Sequence, residues 1–168
     1  WWSGYVHEWW FYSIVSKHVV VSADRFSSTP YAAHLLRALG ARVGPRVVLS
    51  VTEIMEPDLL DIGADVMIGE STCVRGHVFI SGVLTLGKVV IGRGAQVGPY
   101  SVVMPFTSVG EHVRVGAQSC VGVGDQLSDG TIWGGSPLAQ KASGNLVIHF
   151  GTGAKAHFTF EPGIICTR

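Results

Sequence analysis

The side chains best suited to chemistry in this sequence are a carboxylate and two histidines that share one place in a repeating pattern. Asp58, His77 and His112 each stand three residues after an aliphatic residue, Met55, Val74 and Val109. An imidazole titrates near neutral pH, so a histidine can take a proton from a hydroxyl or an amine and later return it. A carboxylate next to the ring can orient it. Two histidines on one face raise a different chemistry, zinc-bound water, but a tetrahedral zinc site needs a third protein ligand. Next to His112 stand only Glu111 and Val113, and His149 and His157 lie far off in the C-terminal tail, so no metal is expected. Cys73 and Cys120 both fall at the last, outward place of their units and read as bystanders, since no cationic neighbour is evident to activate a thiol.

The pattern that places these residues has a period of six. Ile91, Val97, Val103, Val109, Val115 and Val121 step by six without a slip. The next residue is Gly at 92, 98, 110, 116 and 122, and the fifth is small or β-branched: Ala95, Ser101, Thr107, Val113 and Ser119. Side chains alternate along a strand, so the fifth and first positions face the same way. The third and fourth must then turn a corner, where Pro99 and Pro105 are at home. Each unit is therefore one short strand and one turn, and it cannot bury its inner face unless units stack.

The frame extends backwards through Val74, Ile68 and Ile62, then through Met55, Leu49 and Val43, with one extra residue around "MEPDLLD". Forwards from Val74 it reaches Ile80 and Leu86, then only five residues separate Leu86 from Ile91. The units "VRGHVF" and "ISGVLT" lack the second-place glycine, so something other than the scaffold dictates their residues. His77 sits in the first of them. Before the frame, "TPYAAHLLRALGA" puts Ala32, Leu35, Leu36 and Leu39 at helical spacing, with Ser28 or Thr29 as the cap before Pro30. That helix is expected to close the open end of the stack, where bare strand edges would otherwise meet water.

Composition agrees with a turn-rich stack. The chain has 168 residues, 22 of them glycine, and only 14% are charged, with a formal net charge of zero. This length suits one domain of ordinary size, and the charge balance offers nothing to nucleic acid. Three cysteines, the third being Cys166, without a CxxC spacing fit a reducing compartment and free thiols.

Three stretches carry a family resemblance. "VGAQSCVGVGDQLSDGTIWGGSPLAQK" is similar to the C-terminal signature of hexapeptide-repeat acetyltransferases of the maltose, serine and xenobiotic groups. "GHVFISGVLTLGKVVIG" resembles the segment in which the catalytic histidine of those enzymes opens a loop. "LLRALGARVGPRVVLSVTEIMEPDLLDIGADVMIGE" resembles the C-terminal domain of nonribosomal-peptide-synthetase-like proteins, including those like polylysine synthetases. The resemblance implies an all-β fold, a left-handed parallel β-helix with three units, or eighteen residues, per coil, capped by the N-terminal helix. Val43 to Gln126 is long enough for between four and five such coils.

The same resemblance implies an acyltransferase that moves an acyl or aminoacyl group from a thioester to an amine or hydroxyl of a small-molecule acceptor. His77 matches the catalytic histidine. With eighteen residues to the coil, Asp58 falls one coil below His77 and His112 two coils above it, so Asp58 is expected to orient the His77 ring. Gly116, Ala117, Gly134, Gly135 and Pro137 match the turns that contact pantetheine. The basic residue that helps hold coenzyme A phosphates is replaced by "GVG" at 122–124, and Lys141 is the nearest substitute. The donor is thus an acyl-coenzyme A or a phosphopantetheine-linked acyl group on a carrier protein, and the missing cation favours the carrier. A homotrimer, and an adenylation domain and carrier upstream in a longer chain, are also implied. The alternatives are a non-catalytic assembly module on the same fold and, less favoured, a zinc carbonic anhydrase-like protein.

The remaining parts are an aromatic-rich segment over 1–27 and a tail over 143–168 that resembles nothing identifiable, flanking the repeat domain over 28–142. The chain begins at Trp1 rather than Met, as a piece of a longer protein would. The first segment has no uninterrupted apolar run long enough to span a bilayer, so it reads as a helix packed on its own domain, with a membrane-interface segment as the alternative its Trp clusters suggest. The expected location is cytoplasmic, with that segment as the means of any membrane association.

Overall fold

The computed structural model describes residues 4–22, 28–50, 52–141, 146–149 and 155–158. Two helices, α1 (Gly4–Ser22) and α2 (Pro30–Ala38), precede the repeats. The first coil comprises β1 (Arg42–Val43), β2 (Val48–Leu49) and β3 (Thr52–Ile54), and the second β4 (Leu60–Ile62), β5 (Met67–Ile68) and β6 (Thr72–Val74). The chain then leaves the stack as an antiparallel hairpin, β7 (His77–Ile80) and β8 (Val83–Leu86). It returns as β9 (Val89–Ile91), β10 (Gln96–Val97) and β11 (Val102–Val103), and a fourth coil follows with β12 (Ser108–Val109), β13 (Arg114–Val115) and β14 (Cys120–Val121). A last partial coil holds β15 (Gln126–Leu127) and β16 (Ile132–Gly134), against which β17 (Ala139–Lys141) folds back antiparallel. Beyond it β18 (Leu146–His149) pairs with β19 (Lys155–Phe158), also antiparallel.

Strands of successive coils pair in parallel and build three sheets: β1-β4-β9-β12-β15, β2-β5-β10-β13-β16 and β3-β6-β11-β14. The register is that of the six-residue frame. Val97 opposes Val115, Val103 opposes Val121 and Val109 opposes Leu127, each one coil of eighteen residues apart. The interior is built from the two inward positions of every unit. Ile62, Ile68, Val74, Ile91, Val97, Val103, Val109, Val115 and Val121 are buried, as are the fifth-place Val66, Thr72, Ala95, Ser101, Thr107, Val113 and Ser119.

The buried fifth-place hydroxyls of the coils are not orphaned. Thr72 Oγ1 donates to the Gly98 carbonyl at 3.1 Å, Ser101 Oγ to Gly116 at 3.1 Å and Thr107 Oγ1 to Gly122 at 3.1 Å, each reaching the coil above. Such a bond removes the cost that a buried hydroxyl would otherwise carry. Second-place glycine has a steric cause. A Cβ on Gly69 would stand 2.5 Å from the Pro99 nitrogen, and one on Gly98 would stand 2.5 Å from the Ala117 nitrogen. The turns of neighbouring coils approach too closely for any side chain there.

α2 begins with Thr29 at the N-cap and Pro30 in the first turn, and it packs on β1 and β2. Leu36 enters the core cluster, Ala32 packs against it, and Leu35 and Leu39 are half-buried. α1 is a separate element laid against β3. None of the described helices is long and apolar enough to cross a membrane.

Two details of the frame require correction. The inward residue one coil below Val74 is Ile54, not Met55, because β3 pairs with β6 as Ile54 to Val74. The extra chain around "MEPDLLD" is taken up by a 3-10 turn, Pro57–Leu59, so the frame shortens before Ile54 and lengthens after it. Ile80 and Leu86 are not rungs either. They belong to the hairpin, and Val74 is stacked by Val103 instead.

Candidate functional site

The unit "VRGHVF" fails as a rung because the chain leaves the stack there. His77 is the first residue of β7, at the point of exit, on the corner that follows the four-stranded sheet. Its ring meets three partners. Nδ1 lies 2.8 Å from Glu56 Oε1. The Trp9 ring on α1 meets it edge-on, with centroids 5.0 Å apart at 65°, and the Phe79 ring of the hairpin does so at 6.0 Å and 79°.

The six-residue spacing does not single out Glu56, yet it is the group most committed to this site. Its side chain is 1% exposed and that of His77 is 11% exposed. Oε2 accepts the Gly76 N–H at 2.9 Å, and Oε1 accepts the Trp9 indole N–H at 3.3 Å besides meeting His77. A carboxylate oxygen can only accept, so Nδ1 of His77 carries a proton and, in the neutral ring, Nε2 holds the free lone pair. Nε2 has no hydrogen-bond partner among the described residues, so it is the ring atom left to meet an incoming group.

Asp58, expected beneath His77, is exposed in the 3-10 turn and lies beside Gly40. The carboxylate beside the His77 ring is Glu56, two residues before Asp58, at the N-cap of the same 3-10 turn. His112 lies on another corner, the one that follows β12, where its ring crowds Gly94. The hairpin breaks the column in which His77 and His112 were expected to stack, so the pair that suggested zinc is not formed. The described residues contain no group of three or more His, Cys, Asp or Glu placed to hold a metal ion.

The expected thioester turns do stack. The Gly116 N–H donates to the Trp133 carbonyl at 2.8 Å, which lays Gly116 and Ala117 directly against Gly134 and Gly135. The Gly135 N–H donates to Ser119 Oγ at 3.0 Å, and its φ of 100° is one that glycine alone adopts freely. Pro137 follows a cis peptide bond and is exposed. Lys141 is exposed at the far end of β17, opposite Ile132, and so stands two residues along the strand pair from Gly134. These turns lead into the four-stranded sheet, whereas His77 stands where that sheet is left, two coils lower. Within the chain the histidine and these glycine-rich turns occupy opposite ends of that sheet.

Cys73 has a cationic neighbour after all, since Arg75 Nε lies 3.2 Å from its Sγ. Burial nonetheless pushes the thiol up, the arginine opposing it less strongly. The expectation that no cation neighbours Cys73 is therefore corrected, and burial is what disfavours its thiolate.

This architecture is a stack of parallel coils built on a six-residue frame. A family model described as bacterial transferase hexapeptide (six repeats) matches residues 88–122. The chain is 28% identical over 109 residues to a delta-poly-L-ornithine synthetase of Acinetobacter baumannii, covering 65% of this chain but 8% of that relative. It is 26% identical over 135 residues to a putative acetyltransferase of Bacillus subtilis, covering 76% of each. Its fold is shared with a hexapeptide-repeat acetyltransferase from Vibrio cholerae, at a TM-score of 0.64 and 16% identity over 81% of this chain and 92% of that one. It is shared too with a maltose O-acetyltransferase from Clostridium difficile, at 0.62 and 17% over 79% and 86%, and with a galactoside acetyltransferase solved with coenzyme A, at 0.62 and 13% over 80% and 81%. Residues 88–122 thus carry the hexapeptide repeat, and the chain shares its fold with these acetyltransferases.

Proposed function

We propose that the protein transfers an acyl group from a pantetheine thioester to the hydroxyl or amine of a small-molecule acceptor, with His77 as general base. Nε2 takes the acceptor's proton as its oxygen or nitrogen attacks the thioester carbonyl. The tetrahedral intermediate collapses by breaking the C–S bond, and the leaving sulfur takes the proton back from the imidazolium. An ester or amide and a free thiol result, and the histidine is regenerated. The Glu56–His77 contact carries this reading, because it fixes the proton on Nδ1 and leaves the Nε2 lone pair free. The coil is read as left-handed, as in the family, with α2 as its cap.

The thioester arm is assigned to the stacked turns of Gly116, Ala117, Gly134, Gly135 and Pro137. Their position at the other end of the sheet from His77 favours a homotrimer in which the turns of one protomer face the histidine of another. Whether the arm comes from coenzyme A or a carrier is read from phosphate recognition. Lys141 stands near the turns, but no cation follows Val121 directly, which favours a carrier.

Thiol release from acetyl-coenzyme A with maltose, a galactoside or L-ornithine as acceptor tests the reaction, and sedimentation tests the assembly. The reading requires catalysed release with at least one of these or with a loaded carrier, and a trimer at micromolar concentration. Calorimetry with free coenzyme A separates the donors, since binding by cations weakens as salt rises. Tight, salt-sensitive binding overturns the carrier preference. No release from either donor, with no binding at millimolar coenzyme A, overturns the enzyme reading.

A further inference from the structure

The Glu56–His77 pair is enclosed from outside the coil by a residue of α1, 47 positions before Glu56 in the chain. Trp9 makes two contacts there at once. Its indole N–H reaches Glu56 Oε1, the same oxygen that His77 Nδ1 meets, and its ring stands edge-on to the imidazole. Phe79 completes the cluster, 6.1 Å from Trp9 at 78° and 6.0 Å from His77 at 79°. The three rings are all steeply inclined to one another.

We propose that Trp9 is a positioning residue for His77, so that α1 is part of the site and not only a flanking helix. This rests on the reading of His77 as the base. A ring held by one hydrogen bond can still turn about the axis of that bond, and its Nε2 lone pair then sweeps past the acceptor. Edge contacts from Trp9 on α1 and Phe79 on the hairpin fix the ring plane. The indole N–H fixes the Glu56 carboxylate by a second route, beside the Gly76 N–H that holds its other oxygen. Removing Trp9 therefore loosens both the imidazole and the carboxylate that orients it.

The test uses two variants, Trp9→Phe, which keeps an aromatic ring but lacks the N–H, and Trp9→Ala, which lacks both. Two measurements are made on each. The first is steady-state turnover of acetyl-coenzyme A with the best acceptor of the panel above. The second is the nitrogen-15 NMR spectrum of the imidazole in histidine-labelled protein, assigned with His77→Ala and recorded without substrate. Thermal melts select conditions under which every variant is folded.

Trp9→Ala is expected to lower kcat by about tenfold to a hundredfold, the scale of a small misplacement of a reacting group, with the KM for acetyl-coenzyme A within about twofold. Trp9→Phe is expected to fall between it and the parent. In the parent, His77 is expected to show a single tautomer protonated on Nδ1, and in Trp9→Ala a shift towards an averaged spectrum. A packing role alone leaves that spectrum unchanged, so an unchanged spectrum overturns the proposal even if activity falls. A changed spectrum with unchanged kcat overturns it too, provided His77→Ala is inactive. If His77→Ala is fully active, the base reading fails, and the proposal falls with it whatever the spectrum shows.

Discussion

Glu56 Oε1 and His77 Nδ1 lie 2.8 Å apart, and the two residues reach one another from different coils, 21 positions apart in sequence. The carboxylate is the more deeply buried of the two and is also bound by the Gly76 N–H. It therefore holds the exit of the hairpin as well as the ring at its start.

Removal of that carboxylate has two consequences. Glu56→Ala leaves the Gly76 N–H and the His77 Nδ1–H without their acceptor in a buried place, at a cost of about 1–3 kcal/mol for each unsatisfied group. A lower melting temperature is expected together with a loss of turnover. Glu56→Gln keeps one carbonyl oxygen and should recover much of the stability but less of the rate, because its amide nitrogen cannot accept from the imidazole. Equal recovery of both in the glutamine variant would reduce Glu56 to a structural role.

The coil contacts predict a stability effect far from the site. Gly69→Ala places a methyl group 2.5 Å from the Pro99 nitrogen, which is backbone and cannot swing aside. Overpacking of this kind costs about 1–3 kcal/mol. Gly82→Ala is the contrast, since nothing lies within 4 Å of its Cβ, although its φ of 79° carries a backbone strain of its own. That strain is about 1–2 kcal/mol. Chemical denaturation should show the Gly69 variant the less stable of the two. A Gly69 variant as stable as the parent would contradict the close stacking of turns.

Cys73 offers a test that depends on pH. Burial holds its thiol above the usual range, so less thiolate is present near pH 8 than in an exposed cysteine. Alkylation of Cys73 by iodoacetamide in the folded protein should lag that of Cys120 and should accelerate on denaturation. The sign for stability follows from the raised value. The contribution is complete below the thiol's unfolded pKa and is lost as pH rises through the folded one, so the melting temperature should decline from about pH 9 upward and less so in Cys73→Ala. Fast labelling of Cys73 in the native protein would contradict its burial.

Much of the fold can be read from the six-residue period, because each rung is a local statement: one aliphatic residue in, one glycine where turns touch, one small residue in. Val97, Val103 and Val109 land where that rule puts them. The rule says nothing of an excursion, and "VRGHVF" and "ISGVLT" still supply an aliphatic residue at the right spacing, so Ile80 and Leu86 pass for rungs although they form a hairpin. The same blindness misplaces Met55 by one residue. Strand pairing, not spacing, decides which neighbour of a short 3-10 turn faces inward, and that choice separates Asp58 from Glu56. A glutamate directly before a proline is the available signal, but a charged residue between two coils is indistinguishable from a surface one until the coils stack. Trp9 is beyond reach of the pattern altogether, since its partners are 47 positions and more away.

The chemistry turns on Nε2 of His77 as the base, and His77→Ala tests it most directly. Thiol release from the acyl donor is measured for parent and variant with the best acceptor, after circular dichroism shows both folded. The predicted result is a fall of roughly two to four orders of magnitude in turnover with the fold intact. Turnover equal to the parent's would remove His77 from the chemistry, and with it the orienting role of Glu56.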